Sequence, residues 1–300
     1  MVRQVALKSF FLLVVVMSSF AAAPVYAGQS DWVVSAKEAK KLIEADKATV
    51  LDTRGKMSWI AGHVPRSAPV KWQDFSRTKA PYKGELLRDD AKLTQKLQEL
   101  GVSKGRAVLV VGKPPKNWGE DGRIVWMLRT LGHSNAALVE GGYSALKKAG
   151  VDTTLSQAKA PKGDFVVKRT GKYDIDRDTL RKKYKSKDYV LVDTREPREY
   201  RGKTPYGESR GGHVPGAKHL HYTDLMDSKG RLLPKAKLEK KLAAKGISPD
   251  KEVVAYCTGG VRSAWLVAVL ADLGYANVMN YAGSMWEWSA GDEKTYPLEK

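Results

Sequence analysis

The sequence of 300 residues contains a single cysteine, Cys257. One cysteine cannot form a disulfide within its own chain, so no disulfide framework stabilises this fold. The thiol is therefore either buried and inert or reactive. The sequence around Cys257 is the evidence that distinguishes these two interpretations.

The N-terminal region lacks an apolar run long enough to cross a membrane. The apolar segment at residues 9–20 follows Arg3 and Lys8, and a membrane-spanning helix needs about 20 residues. Small residues come next, a pattern typical of a secretory signal peptide cleaved after Ala27. The alternative is an uncleaved membrane anchor. The pattern predicts a protein that is periplasmic or secreted, with no stable membrane insertion after cleavage.

Acidic residues are too few to balance the basic ones. The chain has 52 Lys and Arg against 33 Asp and Glu, a formal net charge of +19. Such an excess indicates a soluble lysine-rich surface, a nucleic-acid partner, or attraction of small anions to a site. No compact run of basic and aromatic residues resembles a nucleic-acid motif, and export also argues against one. We therefore predict no nucleic-acid partner and keep the other two interpretations.

An internal repeat divides the chain into two similar halves. Asp-Thr-Arg follows an apolar run at Asp52 and again at Asp193, and Gly-His-Val-Pro occurs at Gly62 and at Gly212. The repeat is much longer than a solenoid unit, so it indicates two duplicated domains. The predicted organisation is a signal peptide (1–27), an N-terminal domain (28–151), a polar linker (152–165) and a C-terminal domain (166–300).

Short β-branched runs alternate with helical patterns in each half. The runs "YVLVD", "EVVAYC" and "NVMNY" predict buried strands of a parallel sheet. The stretch "LPKAKLEKKLAAKG" (residues 233–246) predicts an amphipathic helix closed by Gly246, and residues 262–273 predict a helix that ends before Gly274. This alternation predicts an α/β fold. Cys257 then lies at the carboxyl end of a strand, where open α/β sheets bind their ligands.

Comparison of the two halves separates the fold from the chemistry. His63 and His213 occur in both copies, so we predict structural roles for them. Gly112 stands where the second half has Cys257, and the longer segment "KPPKNWGEDGR" follows it. The first half is therefore predicted to be catalytically inactive. Substitutions in that segment are expected to change stability or domain docking but not the chemistry at Cys257.

The loop after Cys257 is predicted to hold an anion. The start of the next helix presents free N–H groups and a partial positive charge, and glycines let such groups curl inward. Arg262 adds a permanent cation that should lower the pKa of the thiol; the alternative is that it points away and pairs with a surface carboxylate. The predicted anion cradle comprises Thr258, Gly259, Gly260, Val261 and Arg262.

The spacing within this loop excludes one class of enzyme. Cysteine phosphatases place five residues between the cysteine and the arginine, which makes a ring sized for a phosphate. Here only Thr258 to Val261 separate Cys257 from Arg262. A shorter loop makes a tighter cradle, which suits a persulfide better than a cysteinyl phosphate.

These motifs together resemble those of the tandem-domain rhodanese family. The matching residues are Asp193-Thr-Arg, Gly212-His-Val-Pro-Gly-Ala, Tyr256-Cys-Thr-Gly-Gly-Val-Arg and "YAGSMWEW" near the C-terminus. The resemblance implies an α/β fold of two tandem rhodanese-like domains, each a mainly parallel sheet flanked by helices. It also implies that the first domain is inactive and that the second carries the nucleophile.

The reaction implied by the resemblance is sulfur transfer. Cys257 would take a sulfane sulfur from an anionic donor, thiosulfate or 3-mercaptopyruvate, hold it as a persulfide, and pass it to cyanide or a thiol. The family's reaction needs no metal or organic cofactor, and we expect a monomer. Arg198 and Arg201 flank Glu199, where the family often has arginine; they are either donor-binding residues or surface residues. A persulfide carrier and a thiol redox sensor are the alternative functions.

Overall fold

Two parallel β-sheets, one in each half of the chain, organise the structure. The computed structural model describes residues 32–158 and 160–300. The predicted signal peptide, residues 1–27, lies outside them. Within the described ranges, no helix combines the length and the hydropathy needed to cross a membrane.

Strands and helices alternate along both halves. The strands of the first half are β1 (Val33–Val34), β2 (Ala48–Asp52), β3 (Ala68–Pro69), β4 (Ala107–Val111) and β5 (Ala136–Val139); its helices are α1 (Ala36–Glu44), α2 (Lys56–Ile60), α3 (Asp90–Glu99), α4 (Glu120–Thr130) and α5 (Gly142–Lys148). The strands of the second half are β6 (Tyr189–Asp193), β7 (Lys218–His219), β8 (Glu252–Tyr256) and β9 (Val278–Asn280); its helices are α6 (Arg177–Lys183), α7 (Pro197–Tyr200), α8 (Lys235–Ala243), α9 (Val261–Asp272) and α10 (Ser284–Trp288). Short 3₁₀ helices occur at Trp72–Phe75 and Tyr222–Leu225.

The two sheets have the same strand order. The order β5-β4-β2-β3 in the first half reappears as β9-β8-β6-β7 in the second, and β1 adds one strand beside β5. All of these strand pairs are parallel. The structure therefore confirms the predicted fold class of two parallel α/β sheets.

The sequence pattern also predicts the elements that surround Cys257. The three predicted strands of the second half correspond to β6, β8 and β9, and α9 begins one residue before its predicted start at residue 262. Gly274 follows α9 with φ of 92°, a conformation that glycine adopts without steric cost. Because β8 ends at Tyr256 and α9 begins at Val261, Cys257 lies in the turn between strand and helix.

The repeated motifs are explained by the fold. The Arg195 guanidinium binds both carboxylate oxygens of Asp193 and donates to the Gly212 carbonyl over 2.7 Å. Arg54 makes the same contacts in the first half. This ion pair ties the end of a central strand to the Gly-His-Val-Pro turn in each half. It is a structural device, which is why both copies keep it.

The two repeated histidines also make structural contacts. Nδ1 of His63 hydrogen-bonds the Trp59 carbonyl over 2.8 Å, and Nδ1 of His213 hydrogen-bonds the Tyr200 carbonyl over 3.0 Å. The His213 ring stacks on Tyr200 with the ring centroids 3.6 Å apart. These contacts agree with the structural roles predicted for both residues.

The two halves pack against each other through α4 and α9. The largest buried apolar cluster contains side chains from both halves, including Leu128 of α4 and Leu266 of α9. A Cβ on Gly122 would lie 2.4 Å from Cα of Trp265, so only glycine permits this approach. Since α9 starts at the cysteine loop, the first half is fixed directly against the candidate site.

The segment predicted as a linker, residues 152–165, lies on the first half. Thr154 and His63 exchange two backbone hydrogen bonds of 2.8 and 3.1 Å, and the Gly163 N–H donates to the Gln98 carbonyl. Its polar composition predicts a connection, and the structure shows that much of its backbone is hydrogen-bonded to the first domain.

Candidate active site

The Cys257 sulfur lies at the bottom of the loop between β8 and α9. Its side chain is 1% exposed. The Gly260 N–H donates to the sulfur over 3.1 Å. A backbone hydrogen bond to a buried sulfur stabilises the thiolate form. This contact distinguishes Cys257 from a simple core cysteine.

Both glycines of the loop are required by close contacts. A Cβ on Gly259 would lie 2.1 Å from the Trp286 ring, and one on Gly260 would lie 2.6 Å from the Ala282 carbonyl oxygen. Gly260 also has φ of 77°, in the region that glycine tolerates best. The loop can therefore point its N–H groups at the sulfur only with these glycines.

Competing effects determine the pKa of the Cys257 thiol. Burial alone would raise it, because a thiolate is poorly solvated inside the protein. The charge of Arg262 and hydrogen bonds from Ser263 and Gly259 oppose burial, and the net result is a lowered pKa. This direction agrees with the activation expected from the sequence.

Arg262 reaches the site, but its charge is shared with a buried carboxylate. Its guanidinium forms two contacts with Glu199, of 2.6 and 2.8 Å, and donates to the Thr258 hydroxyl over 2.8 Å. The Thr258 hydroxyl in turn donates to Glu199. Burial raises the pKa of Glu199, but Arg262 outweighs burial and lowers it. Arg262 therefore has a carboxylate partner, as the alternative interpretation held, but that partner is buried at the site and not on the surface.

The two other candidate arginines lie away from the sulfur. Arg198 is exposed, pairs with Glu196 and donates to the Tyr206 hydroxyl. Arg201 is also exposed. Neither of them lines the cavity in front of Cys257. The residue between them, Glu199, reaches the site instead, because it binds Arg262.

A cavity of about 200 Å³ opens in front of Cys257. Four of the five predicted cradle residues line it; the fifth, Gly260, donates its N–H to the sulfur. The remaining walls come mainly from aromatic side chains, two from each half. The lining residues outside the cysteine loop are Trp72, Gln73, Trp118, Glu120, Tyr206 and Trp286.

The first half contributes more to this cavity than its sequence indicates. Trp118 and Glu120 belong to the segment after Gly112 that the sequence assigns only to stability and docking. That expectation is incomplete, because both side chains line the cavity beside Cys257. The extra length of the segment and its tryptophan are the only sequence signals for this role.

The equivalent loop of the first half has no nucleophile and no room for an anion. A Cβ on Gly112 would lie 2.4 Å from Oδ2 of Asp121. The Asp121 side chain is buried and accepts the Gly122 N–H over 2.9 Å. Burial raises the pKa of Asp121 to about 7. A carboxyl group thus fills the space beside the residue equivalent to Cys257.

Comparison with known proteins identifies the family. Residues 35–149 and 176–291 each match the model of the rhodanese-like domain. The chain belongs to the rhodanese family. The match confirms the predicted tandem arrangement of rhodanese-like domains.

Similar proteins support the same class of activity for this rhodanese. The thiosulfate sulfurtransferase of Azotobacter vinelandii is 28% identical over 285 residues, covering 94% of this chain and 100% of the relative. The sulfur carrier protein TtuD of Thermus thermophilus is 28% identical, covering 86% and 92%. The solved structure of SseA from Escherichia coli, described with the rhodanese fold of 3-mercaptopyruvate sulfotransferases, has a TM-score of 0.75 at 22% identity and covers 85% and 98%. The predicted sulfurtransferase class is confirmed.

In this rhodanese the first half also holds the cysteine loop of the second half. Arg123 of α4 is 1% exposed, and its guanidinium donates to the Gly260 carbonyl over 3.0 Å. The same group donates to the Ser76 hydroxyl and to the Gly84 carbonyl. Asn280 is the second donor to the Gly260 carbonyl, over 3.1 Å. Since the Gly260 N–H contacts the sulfur, Arg123 positions a hydrogen-bond donor of the site.

Replacement of Arg123 by methionine is expected to move the titration of Cys257 to higher pH. The variant loses a nearby cation and the hydrogen bond that orients Gly260, so the thiolate is less stable. Alkylation of Cys257 at neutral pH should slow by about fivefold. Arg123→Lys keeps the charge but not the planar guanidinium group. Its alkylation rate should therefore lie between those of the parent and Arg123→Met. Ser76→Ala, which removes a different contact of Arg123, is the control; a folded Arg123→Met with the parental pH profile would contradict this role.

Proposed function

We propose that this rhodanese moves sulfane sulfur from a small anionic donor to a thiophilic acceptor through a persulfide on Cys257. The supporting observation is the buried Cys257 sulfur, which accepts the Gly260 N–H at the end of a cavity. Thiosulfate is the proposed donor because a relative over almost the whole chain is a thiosulfate sulfurtransferase. 3-Mercaptopyruvate is the second candidate donor.

The first half-reaction loads the enzyme. The Cys257 thiolate attacks the outer sulfur of thiosulfate, a bond forms between the two sulfurs, and sulfite leaves with the electron pair of the broken S–S bond. The thiol proton is lost before the attack, which the lowered pKa of Cys257 favours. The N–H groups of the loop then hold the terminal sulfur of the persulfide as they hold the thiolate.

The second half-reaction unloads the enzyme. Cyanide or a thiolate attacks the terminal sulfur, and the bond between that sulfur and Cys257 breaks. The electron pair of that bond returns to Cys257, which is again a thiolate. Neither half-reaction requires a metal ion or an organic cofactor, because the cysteine alone carries the transferred atom.

A persulfide carrier is the alternative function. In that case Cys257 holds the sulfur for a partner protein and turns over slowly with small acceptors; one relative is a sulfur carrier protein. A thiol redox sensor is less consistent with the site, because sensor cysteines are accessible to solvent and Cys257 is 1% exposed.

Intact-mass measurement distinguishes the enzyme from the carrier. After incubation with thiosulfate, the protein should gain the mass of one sulfur atom. Cyanide should then remove this sulfur. With both reagents present, loading and unloading should repeat over many turnovers. Sulfur that stays on the protein in the presence of cyanide indicates a carrier. A protein that gains no sulfur from thiosulfate or from 3-mercaptopyruvate would contradict the proposed persulfide.

We also propose that the protein is exported to the periplasm or beyond. The support is the N-terminal pattern of basic residues, an apolar segment and small residues up to Ala27. N-terminal sequencing of protein from a periplasmic or culture-medium fraction should find a chain that begins at Gly28. Protein found only in the cytoplasm with Met1 retained would contradict export.

A further inference from the structure

Each aromatic ring that lines the cavity in front of Cys257 faces a cation of the chain. The pairs are Arg123 with Trp72, Arg262 with Trp118, Arg198 and Arg262 with Tyr206, and Lys83 with Trp286. The Lys83 contact is the shortest of these, with the ammonium 3.6 Å from the ring centroid. Aromatic faces attract such cations, so positive charge lies directly behind the aromatic wall.

Three of these four cations are already held by other groups. The Arg262 guanidinium pairs with Glu199 over 2.6 and 2.8 Å, and Arg198 pairs with Glu196. Arg123 is 1% exposed and donates to two backbone carbonyls and one hydroxyl. These arginines cannot turn toward an anion in the cavity without giving up those contacts.

Lys83 differs from the three arginines. It is partly exposed, and it forms no ion pair with any residue of the described chain. A lysine ammonium is a compact charge on a flexible stem of four carbons. Lys83 is therefore the cation beside this cavity whose charge is available to an incoming anion.

The backbone next to Lys83 packs directly on the cysteine loop. A Cβ on Gly84 would lie 2.6 Å from the Ala282 carbonyl oxygen and 3.1 Å from the Gly259 carbonyl oxygen. The ring of Trp286 approaches the same loop, because a Cβ on Gly259 would lie 2.1 Å from it. Lys83 thus starts from a segment of the first half that is fixed beside the loop, and its ammonium lies on a ring that lines the cavity.

The side chains that line the cavity do not supply net positive charge themselves. Glu120 and Arg262 are the Asp, Glu, Lys or Arg side chains of the lining, and Glu199 matches the charge of Arg262. The anionic donor of the proposed reaction nevertheless has to pass this cavity to reach Cys257. A cation beside the lining supplies the missing attraction, since like-signed and opposite-signed charges at a cleft control the entry of small ions.

We propose that Lys83 of the first half recognises the anionic group of the sulfur donor beside this cavity. That group is the SO₃ end of thiosulfate or the carboxylate of 3-mercaptopyruvate. The proposal rests on the proposed sulfur transfer and adds a residue that selects the donor. Lys83 pairs with the end of the donor away from the attacked sulfur, and it takes no part in the movement of electrons or protons.

Iodoacetate and iodoacetamide test this role, because both alkylate a thiolate in the same way and they differ by one negative charge. Cys257 is the single cysteine of the sequence, so alkylation reports one site. Lys83→Met keeps a long side chain over Trp286 and removes the charge. It should slow iodoacetate about fivefold, the upper size of a partly exposed charge pair, and leave iodoacetamide at the parental rate.

Two further variants and a salt series are the controls. Lys83→Arg keeps the cation and should keep the parental ratio of the iodoacetate rate to the iodoacetamide rate. Lys79→Met removes the same charge from an exposed position of the same segment and should also keep this ratio. Added salt should lower the ratio of the parent toward that of Lys83→Met, because salt screens exposed charges.

Thiosulfate loading, followed by intact mass, connects the result to the donor. Lys83→Met should load about fivefold more slowly than the parent at low thiosulfate concentration. It should reach the parental rate at saturating thiosulfate, because the loss of a binding contact raises KM and leaves the chemical step unchanged.

The outcomes separate this inference from the function on which it rests. An unchanged alkylation ratio in Lys83→Met overturns the role of Lys83, and so does equal slowing by both reagents, which would mean that Lys83 only supports Trp286. Parental loading by Lys83→Met at low thiosulfate keeps the persulfide and overturns donor recognition. A lowered ratio in a protein that gains no sulfur supports anion binding by Lys83 and overturns the proposed function.

Discussion

Replacing Cys257 by serine is expected to lower sulfur transfer by more than about a thousandfold, to the uncatalysed level. A serine hydroxyl is not ionised at neutral pH and cannot carry a sulfane sulfur as a persulfide does. The sequence contains no other cysteine to substitute for it. Transfer from thiosulfate to cyanide, followed as thiocyanate formation, is the measurement.

The fold should tolerate this replacement. Serine is slightly smaller than cysteine, and its hydroxyl can accept the hydrogen bond that the Gly260 N–H now gives to the sulfur. Thermal unfolding should therefore show a loss of stability of about 1 kcal/mol or less. Substantial thiocyanate formation by a folded Cys257→Ser protein would exclude the persulfide mechanism.

Removing Arg262 is expected to have two large effects at once. Arg262→Ala leaves the Glu199 carboxylate buried without its partner, and such a loss costs roughly 3–5 kcal/mol of unfolding free energy. It also removes the charge that lowers the pKa of Cys257. Loading from thiosulfate should slow by about ten- to a hundredfold, as expected for a charge-assisted contact. Arg262→Lys should recover part of the charge effect but not the two-pronged contact with Glu199.

Glu199→Gln separates the effect on stability from the effect on reactivity. This variant keeps the shape of the side chain but frees the charge of Arg262, so the protein should lose stability while thiosulfate loading becomes faster. Arg262→Ala should be less stable than the parent and should also load thiosulfate more slowly. Denaturant unfolding, the loading rate and the pH dependence of Cys257 alkylation give the three measurements. Equal loading rates in the parent and in both variants would mean that the backbone N–H groups alone hold the anion.

The same pair has a defined dependence on pH. The pKa of Glu199 is lowered in the folded protein, so the folded state favours the ionised carboxylate more than the unfolded state does. The stabilisation by the pair is therefore present at neutral pH and is lost as the pH falls through the folded-state pKa. Glu199→Gln should flatten this acid limb of the stability profile.

Much of the fold around Cys257 could be predicted from local patterns. The β-branched runs predict β6, β8 and β9, and the glycine positions predict where α8 and α9 end. The repeat shows which features belong to the fold, since the Asp193–Arg195 ion pair and its copy occur in both halves. Such features depend on residues close together in the chain, so periodicity and glycine placement report them directly.

The sequence by itself determined the tandem α/β architecture, the position of the single thiol and the spacing of the loop that follows it. The tertiary structure decided what surrounds that thiol. Glu199 reaches Arg262 from 63 positions away in the chain, and Arg123 reaches Gly260 from 137 positions away. Trp118 and Glu120 line the cavity in front of Cys257 because α4 packs on α9. Contacts of this kind leave no periodic trace in a single sequence, because the packing of distant elements creates them.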